Sequence, residues 1–180
     1  MSNMFRKLLN SELGRLSVEQ YKEAGKTPLV LVLDNVRSQH NIGSAFRTCD
    51  AFRVERICLC GISSTPPTPE IHKAALGAEF SVDWAHFDTA AEAVKMLREE
   101  GFVIVSVEQA EGSTQLQHFR PDPDKRYALV FGNEVRGVSQ DVVDASDLCL
   151  EIPQFGTKHS LNVSVSIGIV LWNIILNNLK

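Results

Sequence analysis

The chain has 180 residues, 44% of them hydrophobic, and a formal net charge of −4 at pH 7. That length and apolar share give one globular domain with a substantial core, and the acidic balance argues against indiscriminate nucleic-acid binding. The charge is uneven, because residues 1–56 hold nine Lys/Arg against six Asp/Glu and so carry +3, which leaves −7 on the remainder and a local basic surface in the first third.

In chain order, Phe5, Leu8, Leu9, Leu13 and Leu16 recur at helical spacing and predict an N-terminal helix. No basic segment followed by an apolar stretch opens the chain, so it reads as cytoplasmic rather than secreted. "LVLVLD", 29–34, reads as a fully buried strand, and "NIGSAFRTCDAF" returns to the helical pattern with Ile42, Ala45, Phe46, Cys49 and Phe52. A strand around "ICLC" follows. Its Cys58 and Cys60, with Cys49 and Cys149, match neither a zinc knuckle nor a disulfide framework, so they read as buried reduced thiols and no metal site is expected. Next come a Pro-rich loop "GISSTPPTP", a helix near 71–77, a short strand near "SVDWAHF", a helix over 90–100 and the strand "FVIVSV". A polar connection through "RPDPDK", the strand "YALVFG", a short helix near 138–143 and the strand "LCLEIP" complete the alternation.

The closing segment, "HSLNVSVSIGIVLWNIIL" from His159, starts like a strand, but its alternation collapses at Ile169. At 3.6 residues per turn Asn162, Ser166, Asn173 and Asn177 share a narrow polar stripe, with Leu161, Val165, Leu171, Trp172 and Ile175 around the rest. It therefore reads as a buried helix that begins with Ser160, Leu161 and Asn162. Ser and Asn interrupt the run before ~18 consecutive apolar residues accumulate, so it is not a membrane span.

Apolar strands alternating with helices imply an α/β fold, a mostly parallel sheet with helices on both faces. Ligands in such a sheet sit where loops leave the carboxyl ends of strands, and three of those loops are unlike ordinary connections. In "DNVRSQHNIGSAFRT", Asn41 fits an N-cap, and Gly43 and Arg47 fall one turn apart on the face opposite the apolar stripe. An arginine so early in a helix opposes the macrodipole, which points to an anionic partner, although a solvated arginine fits equally well. In "FGNEVRGVS", Gly132 and Gly137 supply the backbone freedom for a tight bend around a ligand, and Glu134 has a ribose hydroxyl, a basic side chain or water as candidate partners. This is neither G-x-G-x-x-G nor a Walker loop. In "IPQFGTKHSLNVS", Pro153 ends the strand, Gly156 permits a turn and Ser160 is placed to cap the last helix.

Together and in this order, "NIGSAFRT", "FGNEVRGVS" and "IPQFGTKHSLNVSVS" resemble the motifs of the SpoU/TrmH family of RNA ribose 2'-O-methyltransferases, within the SPOUT class, over about residues 29–179. One departure is Gln154, where the family usually has Met after the Pro; the resemblance implies a pocket contacted largely through backbone, so the change is expected to leave cofactor binding in place. The helical spacing before the first strand makes residues 1–28 an N-terminal helical extension, and the resemblance implies a SPOUT methyltransferase domain over 29–180. It also implies a C-terminal trefoil knot, a topology otherwise nearly absent from proteins. The implied cofactor is S-adenosylmethionine, bent against the knot and contacted by Phe131, Gly132, Asn133, Gly137, Ile152 and Leu161. The implied reaction centre is lined by Asn41, Arg47, Glu134, Ser160 and Asn162. A homodimer is expected, since the last helix carries more apolar surface than one core face can cover and Ser164 with Gly168 forms a small-residue row suited to close helix contact.

A ribose hydroxyl has to lose its proton as it attacks a sulfonium methyl, and no metal is needed because the leaving thioether is already a good one. Guanidinium stays protonated at ordinary pH, so Arg47 is weighted as a phosphate clamp and alkoxide stabiliser, with Glu134 or water taking the proton. The expected partner is RNA. A tRNA is favoured over rRNA because only ~28 residues precede the first strand, too few for the separate RNA-binding domain that many ribosomal members carry. Arg6, Lys7, Arg15, Lys22 and Lys26 on the N-terminal helix are the expected phosphate contacts, with loops 63–69 and 112–120 supplying selectivity. Two other readings stay open: the same reaction on ribosomal RNA, and a nucleotide-binding or RNA-binding α/β module without catalysis.

Overall fold

The computed structural model describes residues 5–178. The apolar runs form β1 (Thr27–Asp34), β2 (Val54–Cys60), β3 (Asp83–Phe87), β4 (Phe102–Val107), β5 (Thr114–Gln115), β6 (Arg126–Phe131) and β7 (Leu148–Glu151). These pair in the order β3-β2-β1-β6-β4-β7-β5, and each pairing is parallel. The helices are α1 (Val18–Glu23), α2 (Gln39–Ala51), α3 (Pro69–Ala75), α4 (Ala78–Ser81), α5 (Ala90–Glu99), α6 (Gln140–Asp144) and α7 (Val163–Asn178).

The two-residue period of β1 divides the core in two. Leu29, Leu31 and Leu33 pack with Ile42 and Phe46 of α2, Ile71 of α3, and Ile167, Val170 and Ile174 of α7. Val30 and Val32 pack on the other face with Ala93 and Leu97 of α5 and Val142 of α6. Helices therefore cover both faces, as the unbroken apolar strands require. Cys58 and Cys60 lie in the second cluster as free thiols, and burial pushes the Cys58 thiol up to about 11, which keeps it protonated and unreactive. No helix among the described residues is long and apolar enough to cross a membrane.

The helix expected over 5–16 does not form. Residues 5–9 are irregular, Asn10–Glu12 make a single 3-10 turn, and the first α-helix is α1. Phe5 is 96% exposed, so the helical spacing finds no surface to bury, and a helix that short is marginal without one. Local bonds prevail: the Glu12 carboxylate accepts from the Leu9 N–H at 2.6 Å and from the Arg6 guanidinium at 2.8 and 3.1 Å. Gly14, at φ +58°, then turns the chain. The usable helix signal is the "SVEQ" that follows. There the Ser17 hydroxyl accepts from the Gln20 N–H and the Gln20 side chain accepts from the Ser17 N–H, a capping box. The basic residues expected on one helix are thus dispersed, Arg6 paired with Glu12 and Lys26 folded over the Tyr21 ring at 4.3 Å.

Candidate functional site

Loops leaving the carboxyl ends of β4, β6 and β7 enclose a cavity of about 500 Å3, a size typical of small-ligand sites. Its shape depends on the hairpin-like loop after β6. Asn133 and Gly137 exchange backbone hydrogen bonds of 3.0 and 2.8 Å. The Asn133 side chain accepts from the Val135 and Arg136 N–H groups at 2.9 and 3.2 Å and donates to the Asn35 carbonyl at 2.7 Å. Both glycines are sterically compelled. A Cβ on Gly132 would lie 1.9 Å from the carbonyl carbon of Gly137 and 2.0 Å from the Val138 nitrogen, and one on Gly137, at φ +69°, would lie 2.0 Å from the Glu108 carboxylate.

Glu134 leaves this loop to bind the start of α2. One carboxylate oxygen accepts from the Arg37 N–H at 3.0 Å; the other accepts from the Ser38 N–H at 3.0 Å and from the Asn41 amide at 3.0 Å. Partial burial pushes its carboxyl up, but the hydrogen bonds from Arg37, its own N–H, Ser38 and Asn41 outweigh that and hold it below the ordinary glutamate value. The Asn162 amide donates to Asn41 Oδ1 at 3.1 Å, so Asn162, Asn41 and Glu134 form a chain across all three sequence motifs. Asn162 uses both ends of its side chain, since Oδ1 also accepts from the Ser164 N–H and hydroxyl at 2.8 and 2.6 Å, and its second amide N–H is left for the cleft. Asp could cap the helix but has no donor for Asn41.

Of the residues expected at the cofactor or reaction centre, Phe131, Gly132, Asn133, Glu134, Gly137, Ile152, Ser160, Leu161 and Asn162 line the cavity, as does Gln154. Asn41 is buried and reaches it through hydrogen bonds. Arg47 lies exposed on α2, outside the lining. Three local readings change. The cap of α2 is Ser38, whose hydroxyl accepts from the Asn41 N–H at 3.2 Å, so Asn41 sits inside the first turn. Gly43 is not on an open face: a Cβ there would lie 2.5 Å from the Ile71 carbonyl oxygen, because α2 is covered by α3 as well as by the sheet. The last helix begins at Val163 with Asn162, not Ser160, as its cap.

Glu108 and Gln109 escaped the sequence reading. The Glu108 carboxylate accepts from the Val138 N–H at 3.0 Å and so fixes the far end of the glycine loop, while the Gln109 amide donates to the His159 carbonyl at 2.6 Å and ties β4 to the segment before α7. The available signal was their position just past a parallel strand.

The fold and this cleft define an α/β protein that takes its ligand at the carboxyl edge of a parallel sheet, between backbone loops. Residues 28–172 match the SpoU rRNA Methylase family, and the chain belongs to it. It is 35% identical over 144 residues, 80% of this chain and 56% of the relative, to the 23S rRNA (guanosine-2'-O-)-methyltransferase RlmB of Neisseria meningitidis serogroup B. It is also similar to the structure of an AdoMet-bound rRNA methyltransferase from Sinorhizobium meliloti, with 28% identity and a TM-score of 0.76 over 85% of this chain and 58% of that one. The TrmH/SpoU tRNA modifying enzyme of A. aeolicus matches at 28% identity and a TM-score of 0.75, over 87% of this chain and 79% of that one. The chain spans 56% to 62% of the length of the curated relatives it matches first.

Proposed function

We propose that this chain transfers a methyl group from S-adenosylmethionine to a ribose 2'-hydroxyl of RNA, as a homodimer. The observation that carries the reading is the chain Asn162–Asn41–Glu134, which ties the three family motifs together at one nucleoside-sized cleft. The cleft fits the cofactor. Gly132 and Gly137 leave bare backbone where a Cβ has no room, and Phe131, Ile152 and Leu161 offer apolar surface to an adenine. When bound, S-adenosylmethionine supplies a sulfonium methyl with a neutral thioether as leaving group.

The chain's own residues position and neutralise. Both Glu134 oxygens are engaged and its carboxyl titrates low, so it anchors Asn41 and the start of α2 while water accepts the ribose proton. Ser160 and Asn162 orient the ribose from the cleft wall. Arg47 stands six residues beyond Asn41, about 9 Å along α2, and clamps a phosphate rather than the cofactor. The trefoil knot belongs to the same proposal, with the segment leading into α7 threaded past the loop that follows β6. A second copy covers Val165, Ile169, Trp172 and Leu176, an exposed stripe at i, i+4, i+7 and i+11 of α7. The RNA we favour is tRNA, a reading supported by the likeness to the tRNA modifying enzyme of A. aeolicus at a TM-score of 0.75.

Methyl transfer from labelled S-adenosylmethionine to bulk RNA of cells lacking the gene tests the activity, and 2'-O-methyl maps of those cells identify the RNA. Incorporation into tRNA is expected, with Arg47→Ala lowering turnover far more than cofactor affinity. A lost ribosomal mark with intact tRNA overturns the substrate, and absence of any incorporation overturns the enzyme.

A further inference from the structure

The loop over 132–137 has a second side. Across it from the cofactor cleft lies another cavity, of about 560 Å3, and the two share Asn133, Val135, Arg136 and Gly137 as a common wall. The floor of the second cavity is chemically spent. Asp34 is buried there, one oxygen accepting from the Ser139 N–H and hydroxyl at 2.8 and 2.6 Å and the other from the Asn35 amide at 2.8 Å. Its rim is not. Arg37 and Arg136 are exposed, and among the described residues their N–H groups are committed, to Glu134 and Asn133, while neither guanidinium has a hydrogen-bond or ion-pair partner. Beside them Ile62 and Val135 are 61% and 78% exposed.

We propose that this second cavity is an RNA subsite that holds a nucleotide adjacent to the methylated one, its phosphate between Arg37 and Arg136 and its base against Ile62 and Val135. Two guanidiniums with no internal acceptor are donors waiting for an anion. Guanidinium planes are surfaces on which unstacked bases stack without strict sequence demand, and the exposed Ile62 and Val135 side chains beside them add apolar contact. The shared wall supplies the link to the reaction, because a polynucleotide entering the cofactor cleft has its next unit on the far side of a single loop. The Arg37 N–H is bonded to Glu134, so the clamp stands at a set offset from the reaction centre. The subsite rests on the RNA reading above.

The test is filter binding of small RNA from cells lacking the gene, over a range of salt, beside calorimetry of S-adenosylmethionine. Arg37→Ala is expected to weaken RNA binding several-fold and to reduce the slope of log affinity against log salt by about 1, as for one lost phosphate contact, with cofactor affinity unchanged. Arg37→Glu weakens binding further, and Ile62→Ser weakens it with the slope intact. Lys95→Ala removes the same charge from the exposed side of α5 and leaves binding as it was. Unchanged RNA affinity in Arg37→Glu, or an equal loss in Lys95→Ala, overturns the subsite. Wild-type protein that binds RNA and methylates none defeats the enzyme reading and with it the place of the subsite beside a methylated nucleotide, while the Arg37 series then supports this cavity as an RNA-binding site alone. Failure of the wild type to bind RNA overturns both.

Discussion

Arg56, Arg98 and Arg126 stand towards the amino end of the sheet and Arg37 and Arg136 at its carboxyl end, and the two groups have opposite surroundings. These three amino-end arginines face carboxylates, Arg56 with Glu55 and Glu100, Arg98 with Asp147 at 2.9 Å and Arg126 with Glu55 at 3.0 Å, while Arg53 beside them is exposed and makes no ion pair among the described residues. At the carboxyl end Asp34, Glu108 and Glu134 bind N–H and hydroxyl groups of the loops instead, and no ion pair joins them to an arginine among the described residues. The same residue types therefore do two jobs. Where acids pair with arginines the charge is settled internally; where acids shape backbone the arginines remain for an anion from outside. A chain with net charge −4 can in this way present a cationic edge to RNA.

The largest effect is expected at the shaped backbone. Gly132→Ala puts a Cβ 1.9 Å from a backbone carbon that has nowhere to go, so the loop must open. Cofactor binding is expected to fall below detection by calorimetry, with a loss of about 1–3 kcal/mol in urea unfolding. A variant that binds normally would mean that the loop does not form the cleft. Next comes Asn162, whose two functions separate. Asn162→Ala loses the helix cap and the link to Asn41 together, costing about 1 kcal/mol of stability as well as activity. Asn162→Asp keeps the cap, so any stability it loses comes from the carboxylate oxygen set against the buried Asn41 Oδ1, and it is expected to be at least tenfold slower in methyl transfer. Equal activity in Asp and wild type would remove the Asn41 link from the mechanism.

The pattern of the fold is legible because β1 is apolar on both faces from Leu29 to Leu33, which only a sheet covered twice can bury. The cleft is legible in outline because Gly132 and Gly137 mark a chain reversal just past a strand. Partner choice is not. Asn41 and Ser160 look as good as caps as Ser38 and Asn162 do, since all four belong to the capping set, and the decision lies in contacts over long separations, such as Asn162 with Asn41. Glu108 is opaque for the same reason. A Glu after a strand reads as solvated until Gly137, distant in sequence, is found pressed against it. The N-terminal leucines fail in the other direction, since their periodicity is real but no surface receives them.

Glu134 sharpens the contrast through pH. Its carboxyl titrates below the ordinary value, so its stabilising effect is present above the unfolded pKa of about 4.3 and is lost as pH falls through the lower folded one. Wild type is therefore expected to melt above Glu134→Gln at pH 7, with the gap closing as the solution is acidified below about pH 4. A gap that does not change with pH would show that the loss comes from shape and not from the charge held by the Arg37 and Ser38 amides.

The smallest effect is expected at the amino end, and it is the control that gives the contrast its meaning. Arg126 pairs with Glu55 at 3.0 Å and lies over the Phe102 ring at 3.9 Å, with its carbon stem covering the start of β4. A partly exposed pair of this kind contributes about 0–1 kcal/mol, and the ring contact adds about 0.5–1 kcal/mol. Arg126→Ala should therefore lower stability by about 1 kcal/mol or less, with the salt sensitivity of that loss reporting the ion-pair share. Its charge is already matched by Glu55, so removing it should change neither RNA affinity nor the salt slope of RNA binding. If Arg126→Ala weakens RNA binding as much as Arg37→Ala does, the two ends of the sheet are not electrostatically distinct, and the free arginines at the carboxyl edge lose their special standing.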